Sequence, residues 1–156
     1  MPLKRMNCAI RDFEKKDFDD VIRIARALPE WFTPTGVEHM TIDFHFQKGL
    51  VAETGGIVAG FLFYFSDEGI LHISWIAVGK ELHHKGVGRT LVERVEEIAK
   101  AFGVHEIRVE TLGDSVEYKP YARTRAFYRA LGFSDFQRTM QDNPECPELL
   151  VLAKRL

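Results

Sequence analysis

From Ile73 to Arg89 the chain passes through three kinds of sequence in seventeen residues. An apolar run, Ile73-Ser74-Trp75-Ile76-Ala77-Val78, meets a polar turn, Gly79-Lys80-Glu81-Leu82, and then His83-His84-Lys85-Gly86-Val87-Gly88-Arg89. The first run reads as a strand and the last opens an amphipathic helix. A strand that feeds a helix through such a turn leaves several backbone N–H groups unpaired at one spot, beside the positive end of the helix dipole. That spot suits a phosphate or pyrophosphate. Two glycines at a helix entrance cost about 1 kcal/mol each in propensity relative to Ala, and here Lys85 and Arg89 flank them. An anion grip and an ordinary helix start are the two readings to weigh.

The flanking sequence frames that segment. Asn7 to Arg11 reads as a first strand, and Asp17 caps a helix running to about Leu28 with Phe18, Val21, Ile22 and Ala25 on one face. Pro29 ends it, and Glu30 to Gly36 forms a loop carrying Trp31 and Phe32. A short helix follows from about Val37 to Phe46. Gly49 to Glu53 and Ile57 to Phe65 are strands joined by Thr54-Gly55-Gly56, a hairpin by its turn chemistry. Ser66 to Gly69 makes another turn before the strand Ile70 to Val78. Gly86 to Phe102 has helical period, with Val87, Leu91, Val95 and Ile98 on one face and Gly103 at the C-cap. His105 to Thr111 is a strand, Leu112 to Ala122 a polar stretch, and Arg123 to Leu131 a helix closed by Gly132. Phe133 to Met140 and Leu149 to Lys154 are final strands, joined by the acidic, proline-bearing segment Gln141 to Glu148. The order βα(α)βββαβαββ predicts an α/β (α+β) fold. It is a mixed, mostly antiparallel sheet of about seven strands with about four helices on both faces.

At 156 residues the chain is one domain's worth, expected to span 1–156. A net charge of -2 gives no bulk argument for nucleic acid or an anionic membrane. No RNP or helix-turn-helix pattern is present. The longest apolar run, Ile57 to Phe65, is shorter than the ~20 residues a bilayer span needs. Met1 to Met6 has no apolar run behind its charges, so no signal peptide is expected and the location is read as cytoplasmic. Cys8 and Cys146 are far apart and read as two reduced thiols. His83 and His84 with His72 or His105 lack the i,i+4 or Cys partners of a metal site. Gly55 to Gly60 has P-loop glycine spacing, but Phe61-Leu62 stands where Lys and Ser or Thr are required.

Ile76-Ala77-Val78 with His83-His84-Lys85-Gly86-Val87-Gly88 resembles the acyl-CoA motif of the GNAT N-acyltransferases, (Gln/Arg)-x-x-Gly-x-(Gly/Ala). Ala126-Phe127-Tyr128-Arg129-Ala130-Leu131-Gly132-Phe133 resembles that family's later signature, a helix ending in Phe-Tyr-x-x-x-Gly-Phe. The two lie about forty residues apart with a strand between them, and the element order agrees, so the resemblance covers nearly the whole chain. Two positions depart from the pattern. His83 stands where the motif has Gln or Arg, and Tyr121 where the family often has an Asn that touches the pantetheine arm.

The resemblance implies an N-acetyltransferase that uses acetyl-CoA, needs no metal, and moves the acetyl group to a primary amine by direct attack in a ternary complex. Its cofactor would contact Ile76, Ala77, Val78, His83, His84, Lys85, Gly86, Val87, Gly88, Arg89 and Tyr121. Tyr128 would protonate the departing thiolate; the alternative is a core tyrosine with its hydroxyl at the surface. His72 alternates with Ser74 and Ile76 on one strand face, and it falls where related enzymes place a catalytic Glu or His. It is the candidate base, against a strand histidine bonded to a carbonyl. Glu110 on the neighbouring strand is the reserve, acting through water. Trp31, Phe32 and Glu38, with Ser74 beside His72, are the acceptor-site candidates. Trp31 and Phe32 read equally as cover for the sheet. Arg123 and Arg125 do not share a helix face, so one of them is only solvated. No cysteine lies in either motif, which disfavours a covalent acyl-enzyme. These enzymes are often homodimers. A non-catalytic acyl-CoA sensor on the same scaffold is the competing reading.

Overall fold

The computed structural model describes residues 8–156, so Asn7, at the start of the expected first strand, and the Met1 to Met6 stretch lie outside the described residues. Seven strands hydrogen-bond in the order β1-β2-β3-β4-β5-β7-β6. They are β1 (Ala9–Asp12), β2 (Lys48–Thr54), β3 (Ile57–Asp67), β4 (Ile70–Val78), β5 (Glu106–Leu112), β6 (Ser134–Met140) and β7 (Glu148–Arg155). Four helices join them: α1 (Phe18–Arg26), α2 (Pro34–Asp43), α3 (Val87–Ala101) and α4 (Lys119–Ala130). Among the described residues β4 and β5 pair in parallel, whereas β1–β2, β2–β3, β5–β7 and β6–β7 pair antiparallel. The expected sheet, strand count and element order are all present.

By its internal contacts the chain forms two compact units, residues 8–65 with 74–98 and residues 66–73 with 99–156. In the first, the β2–β3 hairpin turns on Gly55 and Gly56, both at positive φ as a type I′ turn demands. Alternation along the strands then divides the side chains. Val51, Phe61 and Phe63 join the buried cluster that contains Val21, Ala25 and Met40 of α1 and α2. Leu50, Ala52 and Leu62 point the other way and are equally buried. Aromatic packing dominates the first face. Phe44 stacks on Phe63 with centroids 3.7 Å apart, and Phe13 meets Phe63 edge-on at 4.9 Å. Gly49 permits this arrangement, since a Cβ there would lie 2.5 Å from the Phe63 ring. Truncating Phe63 to Ala would cost about 3–5 kcal/mol.

Asp17 does not cap α1 with its side chain. It closes a 3-10 turn, Lys15–Asp17, and its carboxylate accepts two bonds of 2.8 Å from the Arg11 guanidinium and one of 2.8 Å from the Glu14 amide. Arg11 also donates to Glu53 at 3.0 Å. The Arg11 guanidinium holds the Asp17 carboxyl below the usual carboxylate range, against its own burial.

In the second unit β7 lies between β5 and β6, pairing antiparallel with both. The Glu68-Gly69 turn, both residues at positive φ, lets β3 continue to Asp67, two residues further than expected. α4 starts at Lys119 rather than Arg123. Pro120 sits in its first turn, where a missing N–H is tolerated, so a proline that reads as loop opens the helix. Pro34 does the same for α2, whose N-cap Thr33 accepts from the Gly36 amide at 3.0 Å. Gly132, at φ 96, closes the C-terminal end of α4 as expected.

Candidate functional site

The β4–α3 turn is built from backbone. Gly79 donates to the Ala59 carbonyl at 2.8 Å, which ties the end of β4 to β3, and a 3-10 turn, Lys80–Leu82, follows. His84 and Gly86 then adopt left-handed φ values of 64 and 84. Gly86 adopts this conformation freely; for His84 it costs roughly 1–3 kcal/mol, a strain that clusters at functional sites. The first helical bond of α3 runs from the Thr90 amide to the Gly86 carbonyl at 3.1 Å, and the Thr90 hydroxyl donates to the same oxygen at 2.9 Å. The amides of Val87, Gly88 and Arg89 therefore precede the helical ladder and have no intrahelical carbonyl to meet. Lys85 is exposed beside them and Arg89 half-buried. The motif residues thus supply donors and positive charge at one helix entrance, which is what a pyrophosphate requires.

His83, the departure from the motif, has its own place in the turn. Its Nε2 lies 2.7 Å from the Val78 carbonyl, closing the turn with a side-chain bond, and its ring meets Trp31 edge-on at 5.9 Å. The ladder between β4 and β5 comprises Leu71–Ile73 with Ile107–Val109 and stops there. The backbone of Ile76, Ala77 and Val78 lies beyond its end. Ser74 and Trp75 are held by the end of α2, the segment after it and β3. Gln47 and the Phe63 carbonyl (3.0 Å) engage the Ser74 hydroxyl, and Trp75 Nε1 donates to Asp43 at 2.8 Å. Asp43 and Gln47 escape a reading of the sequence. Nothing local marks residues whose partners lie 32 and 27 positions away.

Of the other acceptor-site candidates, Phe32 is buried in the core cluster with its ring 6.2 Å from Trp75, Trp31 is half-buried, and Glu38 is exposed on α2. Phe32 therefore covers the sheet, and Trp31 reaches His83. In the second unit the parallel register sets His72 beside Arg108, and Glu110, two residues further along β5, shares the Arg108 face. The two base candidates occupy one face of the sheet, His72 half-buried and Glu110 exposed.

Tyr128 is 1% exposed, with the Phe127 and Phe133 rings at 5.1 and 5.3 Å. Burial alone pushes its phenol above the ordinary tyrosine range. Tyr121 is half-buried in the first turn of α4, and burial, then Cys146, Tyr118 and Glu145, push its phenol up too. Arg123 is exposed while Arg125 is buried and donates to the Leu112 carbonyl at 2.7 Å. The buried member of that pair thus fixes α4 to the end of β5. Cys8 and Cys146 are free thiols, both pushed up by burial. Among the described residues no group of His, Cys, Asp and Glu is arranged to hold a metal ion, and no helix is long and apolar enough to cross a membrane.

The family model described as acetyltransferase (GNAT) family matches residues 13–133. No curated protein matches by sequence. Among solved structures, a protein from Desulfovibrio desulfuricans assigned to the GNAT acetyltransferases superposes with a TM-score of 0.84 at 24% identity, over 96% of this chain and 99% of that one. The ribosomal-protein-S18-alanine N-acetyltransferase from Escherichia coli superposes with a TM-score of 0.77 at 17% identity, over 96% and 94%. PaiA N-acetyltransferase from Thermoplasma acidophilum, solved with coenzyme A, gives 0.74 at 17% identity, over 97% and 100%. At these identities the superpositions establish a shared fold.

Proposed function

Because this chain belongs to the acetyltransferase (GNAT) family, we propose that it transfers an acetyl group from acetyl-CoA to a primary amine by direct attack within a ternary complex. The observation that carries the reading is the β4–α3 turn, with its amides at Val87, Gly88 and Arg89, its left-handed Gly86, and the cations of Lys85 and Arg89. A pyrophosphate fits such a cradle by charge and by donor count. Backbone groups of Ile76 to Val78 hold the pantetheine and polarise the thioester carbonyl, an arrangement whose preorganised donors give the largest catalytic term. Much of the remaining acceleration comes from holding two reactants in one complex.

His72, or Glu110 through a water, takes the proton from the acceptor ammonium. Tyr128 is the residue this reading assigns to the departing thiolate. A phenol raised above 10 keeps its proton at neutral pH, yet giving it up to a thiolate of conjugate acid near 8.5 is uphill. Tyr128 therefore acts as a hydrogen-bond donor to the charge growing on sulfur, and the released thiolate takes its proton from solvent.

The test is CoA release from acetyl-CoA over a panel of polyamines, amino acids, aminoglycosides and peptides with free N-termini. Turnover with at least one amine is expected. Tight acetyl-CoA binding without turnover on any of them would leave a non-catalytic acyl-CoA sensor. Absence of acetyl-CoA binding would remove the reading altogether.

A further inference from the structure

His83 touches two things at once. Its Nε2 is 2.7 Å from the Val78 carbonyl, at the junction between the thioester strand and the turn that offers the amides. Its ring meets Trp31 at 5.9 Å with the planes 80° apart. Trp31 belongs to the loop between α1 and α2, and its neighbour Phe32 packs against Trp75 on β4. That loop is therefore fixed at two points, by Trp75 on the strand and by His83 in the turn, and all four residues lie in the first unit.

We propose that His83 is a positioning residue through which occupation of the β4–α3 turn by acetyl-CoA is transmitted to Trp31 and its loop. The proposal rests on the cofactor reading above and extends it. A Gln at this position, as in the resembled motif, keeps a side-chain donor for the Val78 carbonyl but has no ring for Trp31. The histidine combines both contacts, so a shift of the turn moves a ring that already meets the indole edge-on. Close packing transmits such displacements instead of absorbing them. By linkage, whatever orders the Trp31 loop then tightens the turn by the same factor.

The chain has two tryptophans, Trp31 and Trp75, so each indole N–H can be followed separately by NMR, with Trp75→Phe supplying the assignment. In the wild type, titration with CoA is expected to shift the Trp31 indole signal with the midpoint that calorimetry gives for binding. His83→Gln is expected to keep CoA binding that calorimetry can measure, weakened by up to about ten-fold, and to lose the Trp31 response. His83→Phe, which keeps a ring but no donor, is expected to retain the response while binding more weakly. A Trp31 signal that stays still in the wild type at saturating CoA, or that shifts undiminished in His83→Gln, overturns the proposal. So does loss of the response in His83→Phe. Calorimetry separates the two levels. CoA binding without a Trp31 response sinks the coupling alone, whereas no binding by the wild type sinks the cofactor reading and the coupling with it.

Discussion

The β4–α3 turn and helix α4 carry the two motifs by which the chain resembles its family, and they are built in opposite ways. The turn works with backbone: its donors are amides, its shape comes from two left-handed residues, and the side chains of Lys80, Glu81, His84 and Lys85 are exposed. α4 works with one side chain, a tyrosine 1% exposed between two phenylalanine rings. A site made of backbone tolerates exchange of side chains but not a new Cβ where the chain bends left-handed. A site made of one hydroxyl tolerates the reverse. This is why His83 can replace Gln or Arg in the turn, whereas Tyr128 has no substitute that keeps both ring and donor.

Substitution at each place can break or sharpen that contrast. Gly86→Glu puts a side chain at φ 84 and a negative charge among the amides proposed to hold the pyrophosphate. Acetyl-CoA affinity by calorimetry should fall by more than about a hundred-fold, and a folded variant that binds normally would place the pyrophosphate elsewhere. Tyr128→Phe keeps the ring packing and removes only the hydroxyl. Its kcat should fall by about a hundred-fold while KM for acetyl-CoA and thermal stability stay close to wild type; unchanged kcat would reduce Tyr128 to packing.

Away from both motifs, Asp17→Ala should destabilise the fold by about 2 kcal/mol in denaturant unfolding. That is below the figure for a fully buried pair, since Arg11 is a quarter exposed. The same contact sets a pH dependence. Because the folded pKa of Asp17 is lowered, its stabilisation is fully present above the unfolded value of ~3.9 and is lost as pH falls through the folded value. The wild type should therefore lose stability in acid, and the variant should lose less. The smallest effect is expected from His84→Gly, which relieves a left-handed histidine. Stability should rise by about 1 kcal/mol or stay level, with CoA affinity unchanged. A large loss of affinity would mean that the His84 imidazole, and not only its backbone, serves the site.

Local chemistry made most of the fold legible. Gly55-Gly56 and Glu68-Gly69 specify their turns because both central residues must take positive φ, and the heptad-like run Val87, Leu91, Val95 specifies α3 by period. The two shifted helix starts share one cause: Pro34 and Pro120 lie in stretches that read as loop, and each opens a helix at the position where proline is tolerated. Asp17 departs from the expected cap for a different reason. Its residue type suits a cap, but a guanidinium six residues earlier competes for the same oxygens. Of the site, the amides and glycines of the turn could be read from sequence because they are contiguous. Gln47 on Ser74, Asp43 on Trp75 and His83 on Trp31 could not, because pairings across 27, 32 and 52 positions are decided by tertiary packing.

At the far edge of the sheet, all seven residues of β6 are exposed, and its pairing with β7 skips Phe136. The skipped ring leaves the pleat to lie under the Arg108 guanidinium at 4.1 Å, while Asp135 is held by Arg129 and Arg138. An unpaired strand is ordinarily a template on which further chains can deposit. Here a second strand laid along β6 would meet a break in the hydrogen-bond rhythm halfway along, and it would have to displace ion pairs to continue past it. The bulge that bends Phe136 out of line therefore makes β6 a poor template for an eighth strand.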